Sequence, residues 1–148
     1  AQTQKKHFIS SCIEHHAVLQ PIEDGSWNGY THEFIHPNSL GVVDVGLLKN
    51  HLRPDTALVS LMHVNNEIGA INPIKDLAAA AHEAHIPFHS DMVQSIGKHK
   101  VDLKELNVDF ASVSAHKFYG PKGVGLLYVK RDSPWKACIR DRPFPDAE

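Results

Sequence analysis

A three-layer α/β domain, with a mostly parallel sheet between covering helices, follows from three features of these 148 residues. From residue 44 onward, apolar runs of strand length alternate with helical stretches, the order produced when parallel strands are joined by crossover helices. The run at 56–62 is nearly continuous rather than alternating, as expected of a strand covered on both faces. Finally, polar clusters follow three successive strand segments, 56–62, 86–90 and 108–114. Ligands bind at the exits of parallel strands in such sheets.

Residues 6–11, Lys-His-Phe-Ile-Ser-Ser, give the first expected strand. A helix opens at 14–20; Pro21 should distort it and the breakers at 24–29, Asp-Gly-Ser-Trp-Asn-Gly, should end it. Residues 31–35 make a second strand. The stretch 44–52 places Val45, Leu48 and Leu52 at helical spacing with Asp44 near its start, and Arg53-Pro54 closes it. After the strand at 56–62 comes a polar exit, His-Val-Asn-Asn-Glu-Ile-Gly (63–69). The plainest helix is 73–85, with Pro73 in its first turn and four consecutive alanines. A strand at 86–90 leads into the loop carrying Asp91 and Gln94. A short helix at 103–106 precedes the strand 108–114, and 126–129 is a last apolar run. Residues 132–148 hold three prolines and four acidic residues without periodicity.

Composition narrows the classes. Apolar residues are 42% and charged residues 22%, ordinary for a soluble globular domain. Net charge is −2 and no Lys/Arg run exceeds two residues, which argues against nucleic acid. No apolar stretch approaches a membrane span and the N-terminus lacks a signal-peptide core. The two cysteines, Cys12 and Cys138, form no CxxC pair, so a reducing, cytoplasmic home is expected. Twelve histidines invite a metal site. Yet His82 and His85 lie on the alanine-rich helix and His89-x-Asp91 beyond it, with no nucleophile or base at metal-motif spacing, so no metal is expected. The chain starts without Met directly before a strand, which suggests a piece of a longer protein.

The chemistry concentrates in Ser114-Ala115-His116-Lys117. A lysine between hydroxyl and imidazole groups at a strand exit can form a Schiff base if its pKa is lowered. Taken singly, each candidate has an ordinary reading. Lys117 would be a surface lysine, Asp91 a helix cap, His15 a partly buried histidine, and His116 a backbone partner. The glycines at 120–125 fit neither the Walker nor the dinucleotide pattern and read as a turn.

Four motifs in order change that reading. Ser-Ala-His-Lys-Phe-Tyr-Gly-Pro-Lys-Gly (114–123), His-Ser-Asp-Met-Val-Gln (89–94), Glu14-His15 and Asn-Asn-Glu-Ile-Gly (65–69) together resemble the cysteine desulfurase family. This is the class V branch of the fold-type I pyridoxal-phosphate enzymes. The resemblance covers roughly residues 6–131. It implies that Lys117 carries the cofactor, that Asp91 faces the pyridine nitrogen and Gln94 the ring hydroxyl, and that Ser114 and His116 contact the phosphate. It also implies that His15 stacks on the ring and helps transfer protons, and that Asn66 faces substrate and ring.

The implied activity is conversion of L-cysteine to L-alanine with an enzyme persulfide for iron–sulfur assembly. A homodimer and a scaffold or sulfur-acceptor protein are the implied partners. Selenocysteine lyase or another class V enzyme shares these motifs, and a non-catalytic remnant is a further alternative. The family's upstream phosphate turn, catalytic cysteine and substrate-binding arginine are not visible. Met92 and Ala115 stand where smaller residues are usual. We expect residues 1–131 to be part of the large cofactor domain, 132–148 a divergent tail, and the chain alone to be inactive.

Overall fold

The computed structural model describes residues 5–131. Their strands are β1 (His7–Ser11), β2 (Thr31–Ile35), β3 (Thr56–Ser60), β4 (Phe88–Asp91), β5 (Phe110–Ser114) and β6 (Gly125–Val129). The helices are α1 (His16–Asp24), α2 (Val45–His51), α3 (Ile74–Glu83) and α4 (Leu103–Leu106). The strands make one sheet in the order β2-β1-β3-β4-β5-β6. The first five run parallel and β6 returns antiparallel against β5. This is the mostly parallel sheet expected, with its single reversal in the hairpin after the lysine motif.

The chain places β2 on one side of β1 and β3 on the other. Right-handed crossovers therefore send α1 to one face and α2, α3 and α4 to the opposite face. Contacts of α3 with α2 and α4 agree with a shared layer. Strand order reverses between β1 and β3, and a crevice opens outside the strand ends at such a switch.

The two faces of the sheet differ in chemistry. Register pairs Ile9 with Val59, Val59 with Phe88, and Ser90 with Ala111, so these residues share a face. On that face Ile9, Val59, Leu61, Phe88 and Ala111 pack with Leu48, Ile74, Leu77, Ala78 and Ala81 of the helices in one buried cluster. Small alanines let α3 lie close to the strands. Each large apolar side chain buried there contributes on the order of 1.5–3 kcal/mol.

The opposite face carries Ser10, Ser60, His89 and Ser112. Ser10 Oγ donates to the Ser60 carbonyl at 2.8 Å, and His89 is held between Ser60 Oγ and Ser112 Oγ at 2.7 Å each. Leu58 on this face is only half-buried. The continuous apolar run of β3 therefore does not mean equal cover on both faces.

Local signals set the helix ends. Asp44 caps α2 by accepting from the Leu47 N–H at 3.0 Å, worth about 1 kcal/mol. Pro21 does not end α1, which runs to Asp24, continues as a 3₁₀ turn over Gly25–Asn28, and stops at Gly29 with φ 76°. Proline's fixed φ is itself helical. It removes only the bond to the Ala17 carbonyl, and Ala17 is exposed, where water replaces that bond. Among the described residues no helix is long and apolar enough to cross a membrane.

Candidate active site

At the C-terminal ends of β1, β3, β4 and β5 lies a cavity of about 330 Å³, the size of a small-ligand pocket. All seven sequence candidates line it: His15, Asn66, Asp91, Gln94, Ser114, His116 and Lys117. They come from the exits of four different strands, with up to about a hundred residues of chain between them. Ala17, Met62 and Val93 complete the lining.

Asp91 forms the floor and is 8% exposed. One oxygen accepts the Val93 N–H at 2.9 Å. Among the described residues the other has no hydrogen-bond donor. Burial pushes its pKa up, against the lowering effects of the Val93 N–H and of His15. A buried carboxylate with a free oxygen favours a cationic partner.

His15 caps α1, its Nδ1 accepting the Ala17 N–H at 3.1 Å. That bond assigns the proton of the neutral ring to Nε2. Asn66 owes its place to its neighbour. Asn65 Oδ1 accepts the Glu67 and Ile68 N–H groups at 2.9 Å each, and its amide donates to the Ile13 carbonyl at 2.8 Å. The turn so made leaves Asn66 exposed at the cavity. Gln94 accepts from Lys98 through its side-chain carbonyl, which frees its NH₂ to donate elsewhere.

On the far wall, Lys117 sits in a 3₁₀ turn, Ala115–Phe118, directly after β5. Ser114 Oγ and His116 Nδ1 bond each other at 2.9 Å. The turn is braced at two glycines. A Cβ at Gly120 would come within 2.7 Å of Ala115 Cβ, and one at Gly97 within 2.6 Å of Phe118 Cβ. These close approaches pin the lysine turn back on its own start and onto the Gln94 loop.

Sequence reasoning named Glu14 only as part of the Glu-His pair. The structure makes it a buried link, with Oε1 accepting the Met62 N–H at 2.8 Å and the Ser11 hydroxyl at 2.9 Å. Asn72 was missed altogether. It donates to the Met62 carbonyl and accepts the Val43 N–H, both at 2.8 Å. Only the unusual density of asparagines after β3 pointed towards it. Cys12 does not line the cavity; its Sγ lies 3.3 Å from His36 Nδ1, and it is half-buried. Cys138 lies outside the described residues. His82, considered above as a metal ligand, bonds Asp109 at 2.7 Å on a helix remote from the cavity, and His85 is exposed.

Comparisons with known proteins agree on one family. The family model for Aminotransferase class-V matches residues 1–137. The "Cysteine desulfurase IscS" of Dictyoglomus turgidum is 50% identical over 129 residues, 87% of this chain and 33% of that protein. The "Cysteine desulfurase, mitochondrial" of Arabidopsis thaliana is 46% identical over 127 residues, 86% of this chain and 28% of its own length. Among solved structures, a "NIFS-LIKE PROTEIN" superposes with a TM-score of 0.85 at 40% identity, covering 90% of this chain and 37% of the other. "SspA in complex with cysteine" gives 0.82 at 41%, covering 84% and 36%. The chain thus spans about a third of the length of these relatives. With a family model matched along nearly its whole length and a shared fold at this identity, the chain belongs to the aminotransferase class-V family, whose cysteine desulfurases it resembles over most of its residues.

Proposed function

We propose that this chain supplies the pyridoxal-phosphate cradle of a cysteine desulfurase. The observation that carries the reading is the convergence of Lys117, Asp91, Gln94, Ser114, His116, His15 and Asn66 on one cavity. The donor set fits the cofactor. It comprises an amine for the aldehyde, a buried acid for the ring nitrogen, an amide donor for the ring hydroxyl, and a hydroxyl–imidazole pair for the phosphate. Bound there, pyridoxal phosphate would serve as the electron sink for the carbon bearing the substrate amine.

The chain's own residues do the rest. Asp91, poorly solvated, favours a protonated ring nitrogen as its cation. His15 offers a flat face to the ring and, with Nδ1 accepting the Ala17 N–H, carries a proton at Nε2. Lys117, on the braced turn, would hold the cofactor at its carbonyl, and it brings an amine to the cavity lining that can carry protons. Asn66 and Gln94 orient polar groups of ring and substrate.

For the longer protein the proposed reaction turns L-cysteine and a protein thiol into L-alanine and a persulfide. The proposed partners are a second copy of the chain and a sulfur acceptor of iron–sulfur assembly. One structural relative is named as a complex with cysteine, which favours that substrate. The accepting thiol is not Cys12, which is turned to His36. Residues 1–131 act as the partial cofactor domain and 132–148 as a divergent tail, so the chain alone should not turn cysteine over. The free Cys12 thiol suits a reducing compartment such as the cytoplasm.

Titration with pyridoxal phosphate, followed by absorbance, tests the reading. The wild-type chain should take up one equivalent and turn yellow, and Lys117→Ala should bind without the yellow band. Asp91→Ala should weaken uptake by about 30-fold or more, the effect of removing one partner of a buried charge pair. A folded wild-type chain that takes up none, or a Lys117→Ala variant that still turns yellow, contradicts it.

A further inference from the structure

We propose that Glu14 is a positioning residue that works as an uncharged acid, tying the elbow that carries His15 to the exit of β3 that carries Met62 and Asn66. The proposal goes beyond the cradle and rests on the reading that this cavity takes pyridoxal phosphate. Glu14 is 6% exposed and spans 48 residues of chain to reach the Met62 amide. Its Oε1 is saturated by that amide and by Ser11 Oγ. Its Oε2 is buried without a hydrogen-bond partner among the described residues. An ionised carboxylate would leave a desolvated charge on that oxygen, whereas a protonated acid carries only a hydroxyl there.

The surroundings favour the neutral form. From the end of β4, Asp91 faces Glu14 with a second negative charge. From β3 come only the Met62 amide and, beside it, the Asn65 side chain bonded to the Ile13 carbonyl. From β1 comes the Ser11 hydroxyl, while Cys12 and His36 are engaged with each other. His15, next in the chain, is turned to the cavity and lowers Asp91 rather than Glu14. Burial first, and Asp91 last, push the Glu14 pKa up to about 8. A neutral Glu14 thus clamps both sides of the switch point and leaves Asp91 as the acid at the cavity floor available to a cationic ring.

The test uses the full chain with Glu14→Gln and Glu14→Ala variants, thermal unfolding confirming that each is folded. Glutamine keeps an acceptor for Met62 and Ser11 and an uncharged group at the second position; alanine keeps neither. In the apo chain, carboxyl ¹³C NMR should show a titration near pH 8 that vanishes in Glu14→Gln. A midpoint near the ordinary value of 4.5 overturns the proposal.

With pyridoxal phosphate, Glu14→Gln should match wild type at pH 7, and Glu14→Ala should bind about tenfold more weakly. At pH 9 the wild type should fall about tenfold behind Glu14→Gln, since only the neutral fraction is competent. Equal losses in Gln and Ala overturn it. If the wild type binds no cofactor, the cradle reading fails instead. The His15 and Asn66 resonances then decide: shifts in Ala but not in Gln uphold the clamp, and unshifted resonances in both overturn it.

Discussion

The two faces of the sheet do different work. Under α2, α3 and α4, residues such as Phe88 and Val59 are fully buried in an apolar cluster. The other face carries the serine–histidine row that leads up each strand to Met62, Asp91 and Ser114 at the cavity. Its apolar residues Phe8, Leu58 and Phe110 are half-buried. At the β6 edge Leu127, level with Ser112 on this face, is 57% exposed. Among the described residues the face under α2, α3 and α4 is closed, and the chemical face is the more open of the two. The chain spans about a third of its relatives' length.

The contrast is sharpest for a core deletion. Phe88→Ala removes the largest fully buried side chain from the covered face and should cost about 3–5 kcal/mol, read by urea unfolding. A loss under about 1 kcal/mol would show that this face is loosely packed.

On the chemical face the largest effect should come with pH. His89 is held neutral by burial, its pKa lowered from 6.5 to about 4. Because the unfolded chain binds the proton more tightly, stability is full above 6.5 and falls as pH drops towards 4. The loss reaches up to about 3 kcal/mol. His89→Gln should flatten this slope, and an unchanged slope would move the acid sensitivity to His7 or His63, both also lowered by burial. Glu14 has the opposite sign. Its contribution is full below its ordinary 4.5 and declines as pH rises towards 8.

The smallest effect belongs to the open edge. Leu127→Ala should change stability by under about 0.5 kcal/mol, yet reduce self-association seen by light scattering, because exposed apolar strand edges associate. A cost like that of Phe88→Ala would mean the edge is packed after all.

Much of this was legible in the residues. The strand exits were marked by polar clusters, and the motif order brought seven candidates to one cavity. What stayed hidden depends on distant contacts. The Glu14 pKa is raised first by burial and then by Asp91, against the lowering effect of the Met62 amide, and none of these is announced by its neighbours in sequence. His89 is read as a motif member, but its bracketing by Ser60 and Ser112 needs the sheet register. Pro21, expected to distort α1, sits within it, and α1 buries no residue, so the carbonyl it leaves unbonded faces water. The unequal cover of the faces could not be seen from β3, whose run puts Leu58 and Met62 on one face and Val59 and Leu61 on the other.

The most direct measurement is borohydride trapping of pyridoxal phosphate followed by peptide mass mapping of the full chain. The cradle places the fixed cofactor on Lys117, with Asp91→Ala reducing its yield. Fixation on Lys122 or Lys98, or spread over surface lysines with no effect of Asp91→Ala, would contradict it.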